Sequence, residues 1–327
     1  MPKISIITPS YNQADYLEQT IRSVLAQQIP DLEYILVDGG SNDGSLEIIQ
    51  RYADHLAWWV SEPDQGQADA INKGFERASG EYIAWLNSDD LYAPGALKAA
   101  LEVLDANPQL GLVFGKAITF DQHGDPIREL RFDDWGLADL VAFEIICQPA
   151  VVMRRSVLEA AGHLSREYHF LLDHHLWLRV AQEAAIQYVP EVWAFARHHP
   201  QAKNIAQAAG FGKEALRILA WMETQPDLAR LIDQDRPRVT AMAQRFDGRY
   251  LLDGGQPRAA LGAYLRSLRA HPATALVEWH RIVFAVLSVF GLGRLAQVYY
   301  RIRARRDPVS IAPWGVSDLN ALYDQQG

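Results

Sequence analysis

The sequence has almost no cysteine and no long uncharged apolar run. Cys147 is the only cysteine among 327 residues, so no disulfide can form within the chain, and a reducing compartment is the natural setting. No uncharged apolar stretch reaches the roughly 18 residues that a transmembrane helix needs. The apolar run 4–7 near the start is too short for a signal peptide. These absences predict a cytoplasmic protein.

Basic residues are in the minority, and the formal net charge is −9 at pH 7. A nucleic-acid partner is not expected, because phosphate neutralisation requires clustered lysines and arginines. A Gly-x-Gly-x-x-Gly motif after the first apolar run is missing, which argues against a dinucleotide-binding domain. The composition, 49% hydrophobic and 22% charged, is that of a globular protein with one large domain and an appendage, or with two domains.

Short apolar runs alternate with stretches of helical periodicity through the first hundred residues. The apolar runs lie at 4–7, 34–37, 58–60 and 82–86. Strands that alternate with helices predict an α/β fold with βαβ units and a largely parallel sheet. Right-handed crossovers would bring the strand ends at Thr8, Asp38 and Asp89 to one edge, which is where open α/β sheets bind ligands.

Carboxylates stand at two of these strand ends. Asp89 and Asp90 could hold a divalent cation, because Mg²⁺ and Mn²⁺ prefer hard oxygen ligands. The alternative is a polar turn in which one of the pair caps the next helix. Asp38 stands where a base or ribose could be recognised, although the two glycines that follow it are also typical of a tight turn.

The predicted helix from Gln67 to Ala78 has an apolar face and a compact polar face. Asp69, Asn72 and Lys73 lie three and four residues apart on the polar face. This arrangement suits a helix that lines a polar ligand site, and it suits a surface helix equally well.

Four blocks in the first ninety residues resemble the family-2 inverting glycosyltransferases, in that family's order and spacing. The blocks are Thr8-Pro9-Ser10-Tyr11-Asn12, Val37 to Ser45, Asp64 to Gly74 and Leu86-Asn87-Ser88-Asp89-Asp90. The resemblance implies a GT-A fold, in which helices flank a Rossmann-like, mostly parallel sheet. It also implies a nucleotide-diphosphate sugar donor, with a UDP-sugar favoured, a saccharide or lipid-linked acceptor, and Mn²⁺ or Mg²⁺. The corresponding role is in the synthesis of cell-surface polysaccharide or glycolipid.

The same resemblance assigns roles to individual side chains. The residues expected to bind the nucleotide and donor sugar are Thr8, Pro9, Tyr11, Asp38, Asp69, Asn72, Lys73, Asp89, Gln148 and Lys203. Among them, Asp38 would accept a hydrogen bond from the base, Asp89 would bind the ribose, and Gln148 would lie beside the donor sugar. Asp90 would bind the metal, which bridges the diphosphate and stabilises the charge that develops as it leaves.

The segment Leu172 to Arg179 resembles the family's Asp-x-x-Leu-Trp-Leu-Arg block, whose leading carboxylate is the catalytic base. Inversion requires a base that takes the proton of the acceptor hydroxyl as its oxygen attacks opposite the diphosphate. Asp173 is the predicted base, and the alternative is that it only caps its helix. Many relatives carry an acidic residue immediately before this aspartate, where this chain has Leu172.

The segment 197–204 resembles a segment that folds over the diphosphate in relatives. His199 would then be a metal ligand or phosphate contact, and Lys203 a diphosphate contact. A histidine after a strand also fits a purely structural role. Cys147 is expected to be an inert buried residue, because nothing nearby in the sequence would lower its pKa.

The last third is rich in helix-forming residues. We therefore predict a glycosyltransferase domain at 1–204 and an all-helical region at 205–327, with one tetratricopeptide-like hairpin within 250–272. The apolar run 282–293 precedes arginines at 294, 301, 303, 305 and 306. This pattern suits a helix lying in an anionic membrane surface, and it also suits a helix buried in the appendage or in a homodimer.

Two other functions use the same residues. A nucleotidyltransferase would employ the carboxylates and the metal, but it normally has a glycine-rich, basic loop after the first strand, which Thr8 to Asn12 does not provide. A non-catalytic nucleotide-sugar-binding or scaffold protein would have its function in the helical third.

Overall fold

The computed structural model describes residues 2–292 and Tyr323. The chain divides into two compact units. Among the described residues, the first consists of 2–137, 146–198 and Tyr323, and the second of 138–145 and 199–292. The break after His198 lies six residues before the end of the predicted domain 1–204, and the short segment 138–145 joins the second unit.

One mixed sheet forms the centre of the first unit. Within residues 2–292 its strands are β1 (Ile4–Ser10), β2 (Leu32–Asp38), β3 (Trp58–Ser61), β4 (Tyr82–Trp85), β5 (Leu91–Tyr92), β6 (Leu110–Asp121), β7 (Pro126–Leu130), β8 (Val151–Arg154) and β9 (Ala185–His198). Their order is β3-β2-β1-β4-β8-β6-β9-β5, and β7 pairs with β6 as a hairpin.

The sheet is parallel where the sequence alternates strands with helices. β1 pairs in parallel with β2 and β4, and β2 with β3. Farther along, β6 and β9 are also parallel, whereas β8, β5 and β7 join antiparallel to their neighbours. All seven residues of β1 are buried, as expected for a strand covered by helices on both faces. The predicted α/β fold is therefore confirmed, with antiparallel strands added to its parallel part.

The register brings the predicted strand ends together. Ser10 of β1 pairs with Asp38 of β2, and Ile7 of β1 pairs with Trp85 of β4. The loops that follow β1, β2 and β4 therefore leave the same edge of the sheet, next to one another. This edge carries the predicted site.

Helices flank the sheet and make up most of the second unit. Within residues 2–292 they are α1 (Ala14–Leu25), α2 (Ser45–Arg51), α3 (Gln67–Arg77), α4 (Ala96–Ala106), α5 (Leu137–Val141), α6 (Arg155–Ala161), α7 (Leu172–Glu183), α8 (Lys203–Ala206), α9 (Ala208–Thr224), α10 (Pro226–Gln234), α11 (Arg236–Asp253), α12 (Pro257–Ala270), α13 (Pro272–Leu276) and α14 (Trp279–Val289), with 3₁₀ turns at Ala53–His55 and Gln148–Ala150.

Two packing contacts hold the helices nearest to the site. α3 lies directly on β1, and Gly74 permits this approach because a Cβ at that position would overlap the Ile7 side chain. α7 is anchored through Trp177, whose ring stacks on Trp85 of β4 with centroids 5.1 Å apart. Phe75 of α3 meets Trp85 edge to face, so β4, α3 and α7 share one aromatic cluster.

The second unit is helical throughout the part that the structure describes. Prolines in the first turns of α10, α11, α12 and α13 mark where these helices begin, because proline is tolerated only there in a helix. α11 and α12 form an antiparallel hairpin whose apolar core includes Leu251, Leu252 and Tyr264. No helix among the described residues is long and apolar enough to cross a membrane. The predicted arginine cluster at 294–306 lies outside the described residues.

Candidate active site

Asp90 is a buried carboxyl at the end of the loop that follows β4. Its Oδ1 accepts the backbone N–H of Arg197 at 3.0 Å, and its Oδ2 accepts Asn87 Nδ2 at 3.3 Å. Burial raises the pKa of Asp90 well above its usual value, and the neighbouring Asp89 charge raises it further. A cation bound here would relieve that electrostatic cost, so the side chain fits the role of a metal ligand.

Arg197 holds the aspartate pair in place, a role that was not predicted for it. Its Nε donates to the Asp89 carbonyl at 2.9 Å, and its Nη2 donates to Gln19 Oε1 at 2.6 Å. The guanidinium lies between the rings of Tyr16 and Phe120, at 4.7 and 4.3 Å from their centroids. In the sequence, Arg197 follows the apolar run of β9 and begins the segment 197–204, but neither feature indicates that it contacts the aspartate pair.

A chain of side-chain amides connects Asp90 to the predicted donor-sugar residue. Asn87 Nδ2 also donates to Gln148 Oε1 at 3.1 Å, and Gln148 Nε2 donates to the Trp85 carbonyl at 2.7 Å. Gln67 of α3 donates to Asn87 Oδ1 at 2.7 Å. Gln148 is therefore held two hydrogen bonds away from the Asp90 carboxyl.

Asp38 is fully buried and organises the loop after β2. Its Oδ2 accepts the backbone N–H groups of Gly40 and Ser41, at 3.1 and 2.9 Å, and the Ser61 hydroxyl at 2.6 Å. Its Oδ1 accepts the Ser41 hydroxyl at 2.5 Å. A carboxylate oxygen can accept about two hydrogen bonds, so Oδ1 keeps capacity for a ligand donor.

The residues at the end of β1 and directly after it differ in their exposure to solvent. Thr8 is buried, and its hydroxyl shares a 3.1 Å hydrogen bond with Tyr34, while Pro9 is also buried. Tyr11 is 61% exposed and lies beside Gly39, where an added Cβ would come within 3.2 Å of Tyr11 Cδ2. The Tyr11 ring is thus available to stack on a flat ligand at the end of β2.

Ser10 is a candidate that the sequence did not single out. Its hydroxyl is buried and has no hydrogen-bond partner among the residues that the structure describes. Because Ser10 is paired with Asp38 in the sheet register, this hydroxyl lies at the same strand ends. Its neighbours in the sequence, Pro9 and Tyr11, were the ones that the motif indicated.

The polar face of α3 holds protein segments in place. Asn72 Nδ2 donates to the Leu164 carbonyl at 2.8 Å, and Asn72 Oδ1 accepts the Leu164 N–H at 3.0 Å. Asp69 forms an ion pair with Arg166 at 2.6 Å, and Lys73 pairs with Glu62 at 2.8 Å. The contacts of Asn72 and Asp69 hold the segment 162–171, which leads into α7.

Asp173 lies in the first turn of α7 and is partly exposed. The N-cap is Leu171, so the aspartate does not occupy the capping position, although its Oδ1 accepts the His174 N–H at 2.8 Å. A helix N-terminus favours the negative charge of a carboxylate. Arg179 fixes the approach to the helix by donating to the backbone carbonyls of 161–163, at 2.7, 3.1 and 2.8 Å.

Cys147 directly precedes Gln148 and is half-buried, rather than fully buried as expected. Burial raises the pKa of its thiol, and the charges of Asp90 and Asp173 raise it further. A thiol with a raised pKa is a poor nucleophile, in keeping with the inert role expected for it. The Trp177–Trp85 stack packs α7, which carries Asp173, against β4, and β4 leads into the loop that ends at Asp90.

The remaining predicted residues belong to the second unit. His199 is buried, and its carbonyl accepts the Ala202 N–H at 2.9 Å in a turn. Lys203 is exposed and begins α8. Among the described residues, no group of three or more His, Cys, Asp or Glu side chains could hold a metal ion. A cation here would need phosphate oxygens besides Asp90, which is the usual manner of Mg²⁺ binding beside a nucleotide.

Comparison with known proteins agrees with this geometry. The model of the glycosyl transferase family 2 matches residues 5–162. A glycosyltransferase of Nostoc sp., itself uncharacterized, is 40% identical over 234 residues, which cover 68% of this chain and 72% of the relative. The putative teichuronic acid biosynthesis glycosyltransferase TuaG of Bacillus subtilis is 44% identical over 106 residues, but these cover only 32% of this chain and 42% of TuaG.

Solved structures with the same fold have low sequence identity. Staphylococcus aureus TarS 1–349 in complex with UDP-GlcNAc has a TM-score of 0.55 at 16% identity, covering 91% of both chains. The mannosyltransferase PcManGT of Pyrobaculum calidifontis, in complex with GDP-Man and Mn²⁺, has a TM-score of 0.59 at 19% identity, covering 94% of this chain and 88% of PcManGT. These likenesses confirm the GT-A fold, and together with the relatives they establish that the chain belongs to the family-2 glycosyltransferases.

Proposed function

We propose that the chain is an inverting glycosyltransferase that moves a sugar from a nucleotide-diphosphate sugar to an acceptor hydroxyl. The observation that carries this proposal is the stacking of Trp177 on Trp85, which packs α7, with Asp173 in its first turn, against β4, the parallel strand that leads into the loop ending at Asp90. One carboxyl is buried with a raised pKa, and the other lies at a helix N-terminus. A metal ligand and a general base need these two different environments.

The nucleotide would lie along the ends of β1 and β2. Tyr11 offers an exposed ring for the base, Asp38 Oδ1 offers a hydrogen-bond acceptor, and the Ser10 hydroxyl offers a donor. Asp89, partly exposed beside them, would bind the ribose. TarS and PcManGT bind UDP, UDP-GlcNAc and GDP-Man, which supports a nucleotide-sugar donor for this chain. We favour a UDP-sugar.

Asp90 would hold Mn²⁺ or Mg²⁺ through a carboxylate oxygen. A divalent cation at this position would neutralise the charge that develops on the departing diphosphate. Mn²⁺ in the complex of PcManGT supports a divalent cation here.

Asp173 would act as the general base. The acceptor oxygen forms a bond to the anomeric carbon as the bond to the diphosphate oxygen breaks, and the electron pair of that bond leaves with the diphosphate. Asp173 takes the proton of the acceptor hydroxyl, and Gln148 orients the sugar between the two carboxyl groups. The name of TuaG supports a role in cell-surface polysaccharide synthesis, with a saccharide or lipid-linked acceptor in the cytoplasm.

A donor screen tests the proposed function. The full chain would be incubated with a panel of nucleotide-diphosphate sugars, Mn²⁺ and a mixture of saccharide acceptors, and the released nucleotide would be identified by mass. Release of a nucleoside diphosphate with a new glycoside supports the proposal. Release of pyrophosphate would instead identify a nucleotidyltransferase, and stoichiometric donor binding without turnover would identify a binding protein.

A further inference from the structure

Exposed apolar side chains are concentrated at the end of the second unit. Among the described residues, most of the large apolar side chains that face solvent fall within a single stretch of 17 positions. They are Leu276, Val277, Trp279, Val283, Val286, Phe290 and Leu292. Single exposed apolar residues are ordinary on a protein surface, but a contiguous group marks an interaction site.

Four of these residues form a stripe along one face of α14. Trp279, Val283, Val286 and Phe290 follow the i, i+4, i+7, i+11 spacing, and they are 57%, 46%, 36% and 75% exposed. We call this set the α14 stripe. Its spacing means that the whole stripe can touch one flat partner at the same time.

The opposite face of α14 is already used within the second unit. Ala285 is fully buried in the α11–α12 core, and Ile282 packs against the same cluster. Glu278, which precedes α14, lies 4.0 Å from Arg249 and 3.9 Å from Arg281, and Arg281 also forms an ion pair with Asp253 of α11 at 2.8 Å. The helix is therefore held in the unit by one face, and the α14 stripe remains on the other.

A cleft lined by one arginine adjoins the last turn of α14. Exposed Arg258, at the start of α12, lines a cleft of about 460 Å³ together with Ser288 and Val289. The chain that follows adds Arg294, only four residues beyond Phe290, and four more arginines by position 306. These cations stand out in a chain whose net charge is −9.

We propose that the α14 stripe lies in the interface of an anionic phospholipid bilayer, with Arg258 at the level of the phosphates. An apolar helix face beside clustered arginines is the combination that binds anionic lipid, because burial of the face and attraction to the headgroups act together. Tryptophan also prefers the headgroup level, where Trp279 would lie. This proposal does not depend on the proposed function.

Flotation of the full chain with phospholipid vesicles tests this proposal. We expect binding to vesicles that contain phosphatidylglycerol, weaker binding at high salt, and little binding to pure phosphatidylcholine. The double variant Trp279→Ser, Phe290→Ser should bind roughly tenfold more weakly, because two large apolar side chains no longer enter the interface. Arg258→Gln should lower binding to the anionic vesicles by about fivefold.

The matched control is Leu265→Ser, which removes an exposed leucine of α12 that lies outside the stripe. This variant should bind vesicles like the unaltered chain, and thermal melting should show that every variant folds. If the stripe variants bind anionic vesicles as well as the unaltered chain does, the proposal is wrong. It is also overturned if the chain does not bind vesicles and sedimentation shows a dimer that only the stripe variants lose. The stripe would then be a contact between subunits.

Discussion

The backbone N–H of Arg197 donates to Asp90 Oδ1 at 3.0 Å, although the two residues are 107 positions apart. The same arginine binds the Asp89 carbonyl through its side chain at 2.9 Å. One residue at the end of β9 therefore holds both the carboxyl of Asp90 and the main chain of Asp89. The positions of Asp89 and Asp90 therefore depend on β9, which comes about a hundred residues later in the chain.

Replacing Arg197 by lysine should disturb the aspartate pair and leave the fold intact. Lysine keeps the charge but loses the fork that reaches the Asp89 carbonyl and Gln19 together. We expect kcat to fall about tenfold to a hundredfold, corresponding to the loss of one or two charge-assisted hydrogen bonds. Steady-state kinetics with Mn²⁺ titration would measure this. An unchanged apparent affinity for Mn²⁺ and an unchanged kcat would show that Arg197 does not position the pair.

Removal of the cation should abolish transfer, and Asp90→Asn should reproduce most of the loss. Asparagine retains an oxygen that can accept the Arg197 N–H, so the variant removes mainly the negative charge. We expect transfer to stop in EDTA, to return with Mn²⁺, and to be about a hundredfold lower in Asp90→Asn. Calorimetric titration of donor with and without Mn²⁺ gives a second readout. Asp54→Asn, an exposed surface change, is the control. Donor binding that is unaffected by EDTA would contradict the assignment of Asp90 as a metal ligand.

Asn72→Ala separates a structural role from a donor-binding role. The substitution leaves the Leu164 N–H and carbonyl without their partners, which should lower the free energy of unfolding by about 1–3 kcal/mol. Asn107→Ala removes a single hydrogen bond, to the Val103 carbonyl, and should cost less. Urea titration followed by circular dichroism measures both. A loss of donor affinity without any loss of stability would support the donor-binding role predicted for Asn72.

Gly39→Ala should weaken nucleotide binding, because the new Cβ would lie 2.6 Å from Asp64 Oδ2 and 3.2 Å from Tyr11 Cδ2. Both side chains would have to move from the end of β2. We expect roughly tenfold weaker donor binding, the loss of one base–aromatic contact, measured by calorimetry. Gly136→Ala is the control, since a Cβ at Gly136 meets no atom within 4 Å. Equal donor affinities in the two variants would show that the Tyr11 ring does not stack on the base of the donor.

Glu33 should make stability depend on pH in the acid range. Burial alone would raise the pKa of its carboxyl, but hydrogen bonds from the Ser5 and Ser79 hydroxyls and the Ser79 N–H lower the pKa overall. A folded-state pKa below the usual 4.5 means that this stabilisation is complete above pH 4.5 and is lost as pH falls through the folded value.

The test for Glu33 compares the unaltered chain with Glu33→Gln. At pH 7 we expect the free energy of unfolding of the variant to be about 1–2 kcal/mol lower than that of the unaltered chain. We expect this difference to shrink as the pH falls below 4.5. Urea titrations at several pH values measure it, with the exposed Glu76→Gln as control. A difference that stayed constant from pH 7 to pH 4 would show that the charge of Glu33 contributes nothing.

The local part of the fold could be predicted from the sequence. The apolar runs ending at Thr8, Asp38 and Asp89 became neighbouring parallel strands, because short βαβ connections leave few other topologies. Periodicity likewise indicated α3 and its polar face. It could not show that Asn72 binds Leu164, 92 positions later, because hydrogen-bond partners so far apart leave no trace in local spacing.

The sequence also did not reveal the contact between Arg197 and Asp90 at the candidate site, or which face of α14 is buried in the second unit. Arg197 ends an ordinary apolar run, and only the pairing of β9 with β5 brings it to Asp90. The run at 282–293 is apolar on nearly every side, so its pattern could not distinguish the buried face at Ala285 from the exposed one at Phe290. Asp173, His199 and Lys203 were assigned through resemblance, and their roles stay predictions.

The most direct test of the proposed mechanism is the transfer rate of Asp173→Asn, measured together with its donor affinity. Asparagine keeps the size of the side chain but cannot take a proton, so we expect kcat to fall about a hundredfold to ten-thousandfold while donor affinity stays within about twofold. Asp227→Asn, an exposed aspartate in the first turn of α10, is the matched control and should behave like the unaltered chain. Full transfer activity in Asp173→Asn would contradict the assignment of Asp173 as the general base.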